Sequence, residues 1–155
     1  MKYLIIGNGV AGTTAAINIR ELDPDGEITI TTDEPLPFYS RIRLIDYLSG
    51  EIDEKKLIVR GEDWHRQNRI NLILNTSVKG IDIDKRGIAV STGETYKYDR
   101  LLISTGGSSF VPPIAGAEKA GVFALRNIKD AREIIRYSEN ANDVVLIGGG
   151  VLGLE

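Results

Sequence analysis

Tyr3-Leu4-Ile5-Ile6-Gly7-Asn8-Gly9-Val10-Ala11-Gly12 is the stretch that decides how this chain is read. A short β-forming run enters glycines at G-x-G-x-x-G spacing, and a helix-forming segment comes directly after it. In residues 11–22, Ala15, Ala16, Ile19 and Leu22 share one face at helical spacing. The opening run Lys2–Ile6 is almost wholly apolar, as a parallel strand covered on both faces requires. Asp23-Pro24-Asp25-Gly26 is turn chemistry that ends the helix. Residues 27–32 then alternate Ile28 and Ile30 with threonines, which reads as a second strand. Together these make a βαβ unit of about thirty residues.

The spacing has a mechanical reason. A pyrophosphate that lies against backbone leaves no room for side chains. Gly7 permits the tight turn, Gly9 lets the phosphates approach, and Gly12 lets helix and strand pack closely. Val10 and Ala11 lie at the entry to the helix, where the exposed N–H groups of the first helical turn and the helix dipole meet an anion. Asp33 and Glu34 stand at the end of the second strand, about twenty residues further on. A carboxylate there accepts hydrogen bonds from a ribose diol and disfavours a 2′-phosphate. The spacing does not choose between the two acids.

Gly148-Gly149-Gly150-Val151-Leu152-Gly153 repeats the pattern after Val144-Val145-Leu146-Ile147, so Gly148, Gly150 and Gly153 are candidates for a second nucleotide. The chain ends at Glu155, before a helix there could form, and is expected to be part of a larger enzyme. Between the two motifs, residues 41–48 read as a short helix, and 55–59 and 63–68 as short helical or looped segments. Residues 71–74, 78–84, 87–91 and 94–98 read as strands, with hairpin turns at Lys85-Arg86-Gly87 and Thr92-Gly93. Leu101-Leu102-Ile103 reads as another buried parallel strand, residues 129–138 as a helix with Ala131, Ile134 and Ile135 inward, and 143–147 as a last strand.

Composition narrows the function. The chain has 155 residues, 42% hydrophobic and 26% charged, with a formal net charge of -3, which argues against a nucleic-acid backbone as partner. No apolar stretch has the roughly 18 residues of a membrane span. The absence of cysteine excludes disulfides, thiolate metal ligands and a redox-active dithiol within these residues. The expected address is the cytoplasm, so the sequon Asn75-Thr76-Ser77 reads as an ordinary loop. His65 reads as a surface or packing residue and Trp64 as a core anchor.

With these motifs placed, the chain resembles the FAD-dependent pyridine nucleotide-disulfide oxidoreductase family. The resemblance covers essentially its whole length. It rests on residues 7–12, on Tyr98-Asp99-Arg100-Leu101-Leu102-Ile103-Ser104-Thr105-Gly106, and on residues 148–155. Ser104 stands where alanine is usual in the middle segment. The resemblance implies an α/β, FAD/NAD(P)-binding Rossmann-like three-layer fold, with a parallel sheet flanked by helices and a small antiparallel insertion. It implies an FAD-binding domain over 1–108, a connector and helix over 109–142, and a truncated NAD(P)-binding domain from 143–155. FAD would lie on Gly7, Gly9, Val10, Ala11 and Gly12, with Thr105 and Gly106 approaching it and the backbone at Val78 touching the adenine. Glu155 would stand between nicotinamide and flavin as the catalytic residue.

Disulfide reductases of this fold carry a reactive cysteine in the segment that here reads Pro37-Phe38-Tyr39-Ser40-Arg41-Ile42-Arg43-Leu44. Without one, electrons must go outward to a small redox protein or a small-molecule acceptor. This segment looks most like the nitrite reductase flavoprotein and NADH:rubredoxin reductase branch. Ser40 and Arg41 would then sit near the flavin or its diphosphate, and Tyr39 where the isoalloxazine could be near. Asp46 replaces a lysine of some ferredoxin-reductase relatives. The implied function is an NADH- or NADPH-dependent flavin oxidoreductase, and the fragment is expected to be inactive alone and to dimerise as a homodimer, swap elements or bind flavin weakly. The alternatives are a non-catalytic FAD-binding module and a flavin-free NAD-dependent dehydrogenase.

Overall fold

The computed structural model describes residues 1–148, and the chain divides into two compact units: Met1–Tyr39 with Ile58–Gly107, and Ser40–Leu57 with Ser108–Glu155. The elements run β1 (Lys2–Ile6), α1 (Val10–Leu22), β2 (Glu27–Thr31), β3 (Phe38–Tyr39), α2 (Leu44–Leu48), a 3-10 turn (Glu54–Leu57), β4 (Ile58–Arg60) and α3 (Glu62–Gln67). They continue with β5 (Ile70–Ile73), β6 (Val78–Asp82), β7 (Gly87–Val90), β8 (Thr95–Lys97), β9 (Arg100–Ile103) and α4 (Ile128–Ser138).

The first unit is built on a parallel sheet of order β5-β2-β1-β9. Alternation along β1 sends its side chains to two separate cores. Ile5 joins Ala16, Ile28, Ile30 and Ile70 on one face, where Ala15, Ile19 and Trp64 from the helices pack. Leu4 and Ile6 go to the other face, against Ile88 and Val90. That second face is covered by the antiparallel sheet β6-β7-β8, so helices, parallel sheet and antiparallel sheet form successive layers. A fully buried isoleucine such as Ile5 or Ile30 contributes about 1.5–3 kcal/mol through lost apolar exposure. The C-terminal end of α1 is fastened by Arg20, whose guanidinium donates to the carbonyls of Pro24, Gly26, Asn68 and Arg69 at 2.8–2.9 Å.

In the second unit α2 packs on α4, and Leu44, Leu57, Ile128 and Ala131 are buried. Arg132 makes a bidentate pair with Glu54 at 2.7 and 2.9 Å. The Glu54 carboxylate raises the pKa of that guanidinium above its ordinary value. The N-terminus of α4 is closed by a capping box, with the Asn127 side chain accepting from the amides of Lys129 and Asp130 while Asp130 accepts from the Asn127 amide.

Several local expectations change. Leu22, expected on the inner face of α1, is 87% exposed, because the chain turns away at Asp23 before another layer could cover it. β9 pairs in parallel with β1 as expected, yet it is not buried: Ile103 is 58% exposed, since β9 is an edge of the described sheet. Residues 143–148 are not a strand, and Val144 and Val145 are exposed; a strand needs a hydrogen-bonded neighbour, and none of the described residues supplies one. Residues 55–59, expected to be helical or looped, divide between the 3-10 turn and β4, and β4 pairs with β3 in a two-stranded ribbon. Among the described residues no helix is long and apolar enough to cross a membrane.

Candidate functional site

The carboxyl ends of β1, β2 and β9 lie side by side, because Ile6 is in register with both Thr31 and Ile103. The loops that leave these strands therefore meet at one edge of the sheet, where parallel α/β sheets bind ligands. Gly7 extends the pairing through its amide, which donates to the Thr31 carbonyl at 2.8 Å. Ser104 closes the other side: its amide donates to the Ile6 carbonyl at 2.8 Å, and its hydroxyl lies 3.1 Å from the same oxygen and 3.3 Å from the Gly7 carbonyl. The serine that departs from the usual alanine thus stitches β9 to the glycine loop.

The three glycines of the loop have different physical reasons. Gly7 has φ +107°, and a Cβ there would lie 2.3 Å from the Ser104 carbonyl oxygen. A Cβ on Gly12 would lie 2.0 Å from the Gly7 carbonyl oxygen, so no side chain fits without backbone movement. Gly9 differs, because its φ of −86° suits any residue and a Cβ there would meet none of the described residues within 4 Å. The fold itself does not require glycine at this position. A ligand that approaches the open side of the backbone would.

The N-terminus of α1 begins at this open glycine. Its first intrahelical bond runs from the Thr13 amide to the Gly9 carbonyl at 3.0 Å, so the amides of Val10, Ala11 and Gly12 have no i−4 carbonyl within the helix. Among the described residues no side chain caps this end, and no acidic residue stands in its first turn, in contrast to the fully capped α4. Beside it, Asn8 is buried, its Oδ1 accepting from the Thr13 hydroxyl at 3.2 Å and its Nδ2 without a partner among the described residues. Bare amides, a positive dipole end, a buried unsatisfied donor and an open glycine are what an anionic diphosphate requires. The residues present fit such a group.

At the end of β2 the two candidate acids differ. Asp33 is exposed, whereas Glu34 is half-buried and accepts a hydrogen bond from the Tyr39 hydroxyl at 2.7 Å. The Glu34 amide donates to the Thr32 hydroxyl at 3.3 Å, and its carbonyl accepts from the Asn75 amide at 3.0 Å. Tyr39, the one tyrosine that the sequence puts where the isoalloxazine could be near, donates its hydroxyl to this carboxylate. Thr105 and Gly106 come after β9 and are exposed, Gly106 with φ +72°. Val78 opens β6 and packs on the core formed by Leu4, Ile6, Ile88 and Val90.

Gly7, Gly9, Val10, Ala11, Gly12, Asp33, Glu34, Val78, Thr105 and Gly106 all belong to the first unit. Ser40 and Arg41 belong to the second, where the Ser40 amide donates to the Leu57 carbonyl at 2.9 Å and Arg41 is half-buried. Asp46 forms an ion pair with Arg43 at 3.0 Å. Gly148 has φ +116°, while Gly150, Gly153 and Glu155 lie outside the described residues. Sequence reasoning missed Asn8 and Ser104. Ser104 carried a signal, its departure from alanine. Asn8 carried none.

Comparison with known proteins agrees with this geometry. Residues 1–155 match the family described as pyridine nucleotide-disulphide oxidoreductase. The chain is 37% identical over 155 residues to a nitrite reductase [NAD(P)H] of Bacillus subtilis (strain 168), covering 99% of this chain and 19% of that protein. It is 34% identical over 156 residues to a rubredoxin-NAD(+) reductase of Pseudomonas putida, covering 100% of this chain and 40% of that protein. Among solved structures it superposes on the NADH:rubredoxin oxidoreductase of Clostridium acetobutylicum with a TM-score of 0.87 at 29% identity, covering 98% of this chain and 39% of that one. The chain therefore spans between 19% and 40% of the length of these relatives.

Proposed function

This chain belongs to the pyridine nucleotide-disulphide oxidoreductase family, and from that membership we propose that it forms the FAD-binding portion of an NAD(P)H-dependent flavin oxidoreductase. The observation that carries the reading is the start of α1, which has no side-chain cap among the described residues, no first-turn acid and a glycine that the described fold does not need. Bound there, FAD supplies acceptance of a hydride and release of electrons singly or in pairs.

The chain's own residues bind and orient. The amides of Val10, Ala11 and Gly12 would donate to the diphosphate, and the dipole of the 13-residue α1 adds about 0.3–1 kcal/mol per exposed charge. Asp33 or Glu34 would accept from the ribose diol. Thr105 and Gly106 would approach the cofactor from the end of β9, and the backbone at Val78 would meet the adenine. Ser40 and Arg41 would hold the flavin end, the guanidinium as a fork for phosphate oxygens. Gly148, Gly150 and Gly153 would receive NADH or NADPH, with Glu155 beside the nicotinamide. With no cysteine in the 155 residues, no thiol of this chain can relay the electrons. They would pass to an external acceptor of the kind that the relatives' names indicate, a rubredoxin-like protein or a nitrite reductase centre.

Gly9→Ala tests the site. The substitution should cost the fold no more than about 1 kcal/mol, since only a modestly preferred N-cap is lost. FAD affinity of the full-length protein, followed by flavin fluorescence, should fall at least about ten-fold, the effect of one clash worth ~1.4 kcal/mol. Unchanged affinity would remove the diphosphate from this crevice.

A further inference from the structure

Resting on the reading of this crevice as the FAD site, we infer that Asn8 and Thr13 form a positioning pair for the diphosphate loop, a side-chain clip that the ligand needs more than the fold does. Asn8 stands between Gly7 and Gly9, so the backbone on either side of it has wide conformational freedom. Gly7 is fixed from one side, its amide donating to the Thr31 carbonyl at 2.8 Å and its carbonyl lying 3.3 Å from the Ser104 hydroxyl. Thr13 grips the other side twice. Its amide donates to the Gly9 carbonyl at 3.0 Å, and its hydroxyl donates to Asn8 Oδ1 at 3.2 Å. Val10, Ala11 and Gly12 are the residues enclosed between Asn8 and Thr13. The clip therefore restrains the segment whose amides would donate to a diphosphate.

Stability does not account for the pair. Thr13 and Asn8 are both buried, so water does not share the work of satisfying them. Asn8 Nδ2 is enclosed and has no hydrogen-bond partner among the described residues. A buried donor left unmet costs free energy, whereas replacing both members of a buried polar pair by apolar groups can be neutral or even stabilising. Thr13 adds a second cost, because a β-branched residue is a poorer helix former than alanine and it lies within α1. What the pair supplies is order. A loop already held in its binding geometry loses less conformational entropy when a ligand arrives, which is the general advantage of preorganisation.

The test uses the full-length protein stripped of flavin, with FAD and ADP as ligands, since ADP carries a diphosphate without the flavin. In the double variant Asn8→Ala/Thr13→Val, FAD affinity should fall roughly three- to ten-fold, the order of one neutral hydrogen bond. ADP affinity, measured by competition, should fall by the same factor. The melting temperature of the flavin-free double variant should drop by no more than about 2 °C. Thr13→Ser should show the reverse pattern, because it keeps the hydroxyl and deletes a buried methyl. Its melting temperature should fall by about 2–4 °C while its FAD affinity stays within about two-fold of wild type. Unchanged FAD affinity in the double variant would overturn the inference, as would a loss seen for FAD and not for ADP. It would equally be overturned by a double variant that melts lower than Thr13→Ser, or by a Thr13→Ser protein that binds FAD as weakly as the double variant. A wild-type protein that binds neither ligand would instead overturn the reading of the crevice itself.

Discussion

Gly12 shows how a single position can set two opposing effects against each other. Alanine is the better helix former by about 1 kcal/mol, so propensity alone predicts that Gly12→Ala stabilises α1. The added Cβ, however, would lie 2.0 Å from the Gly7 carbonyl oxygen and 2.9 Å from the Ser104 hydroxyl. The carbonyl belongs to backbone tied into the sheet, so it cannot swing away as a side chain would. Overpacking of this kind typically costs about 1–3 kcal/mol. The clash should win, and Gly12→Ala should lower stability in chemical denaturation by about 1–2 kcal/mol. A variant as stable as wild type would mean that the loop yields more easily than its hydrogen bonds suggest. Gly9 is the complement: the fold needs glycine at position 12 and not at position 9. The spacing motif treats the two alike, and only the surroundings of each position separate them.

Among the elements, α3 contains a titration that the sequence did not advertise. His65 is 1% exposed, with Nδ1 2.8 Å from the Gly61 carbonyl and its ring edge-on to Trp64 at 5.0 Å. A carbonyl can only accept, so Nδ1 carries the hydrogen, and the buried Nε2 has no partner among the described residues. Burial holds the imidazole pKa below its ordinary value, outweighing the opposite pull of the Gly61 hydrogen bond and the Glu62 charge. The unfolded chain therefore takes up a proton near pH 6.5 while the folded chain does not. The stability due to neutral His65 is complete above about pH 6.5 and is lost as pH falls towards the lowered folded value. Denaturation midpoints between about pH 5 and 7.5 should decline with falling pH in wild type, and less so in His65→Asn, which retains a donor for Gly61. Equal slopes would show that His65 does not govern this range.

Element by element, it is also clear what could be read in advance. β1, α1, β2 and the hairpin strands followed from periodicity and turn residues, because each owes its form to local pattern and a continuous apolar face. The β3–β4 ribbon did not, since its strands are two and three residues long and join segments some twenty residues apart. Too few residues alternate there to produce a signal. Burial at the sheet edge was equally hidden. Leu101-Leu102-Ile103 has the composition of a covered strand, and only the strand order makes β9 an edge among the described residues. The candidate site was legible where glycine spacing reports backbone geometry. Tyr39 and Glu34 were both noticed, but their hydrogen bond depends on the ribbon and so could not be foreseen.

In the molecule as a whole, labour is divided between fold and ligand. The carboxyl edge of one parallel sheet offers a helix start that no side chain among the described residues caps, while α4 is capped completely. The chain belongs to the pyridine nucleotide-disulphide oxidoreductase family and spans 19% and 40% of the two curated relatives named above, which supports the proposal that it is part of a larger oxidoreductase. The second glycine motif and Glu155 would bring the nicotinamide, and the lack of cysteine would send electrons outward. The decisive experiment is the absorbance spectrum of the full-length protein before and after anaerobic addition of NADH, with NADPH in parallel. A yellow protein is expected, with flavin absorbance that bleaches within turnover time on addition of one of the two. A colourless protein that nevertheless binds NADH would refute the flavin assignment, and would make the opening glycine loop a nicotinamide site instead.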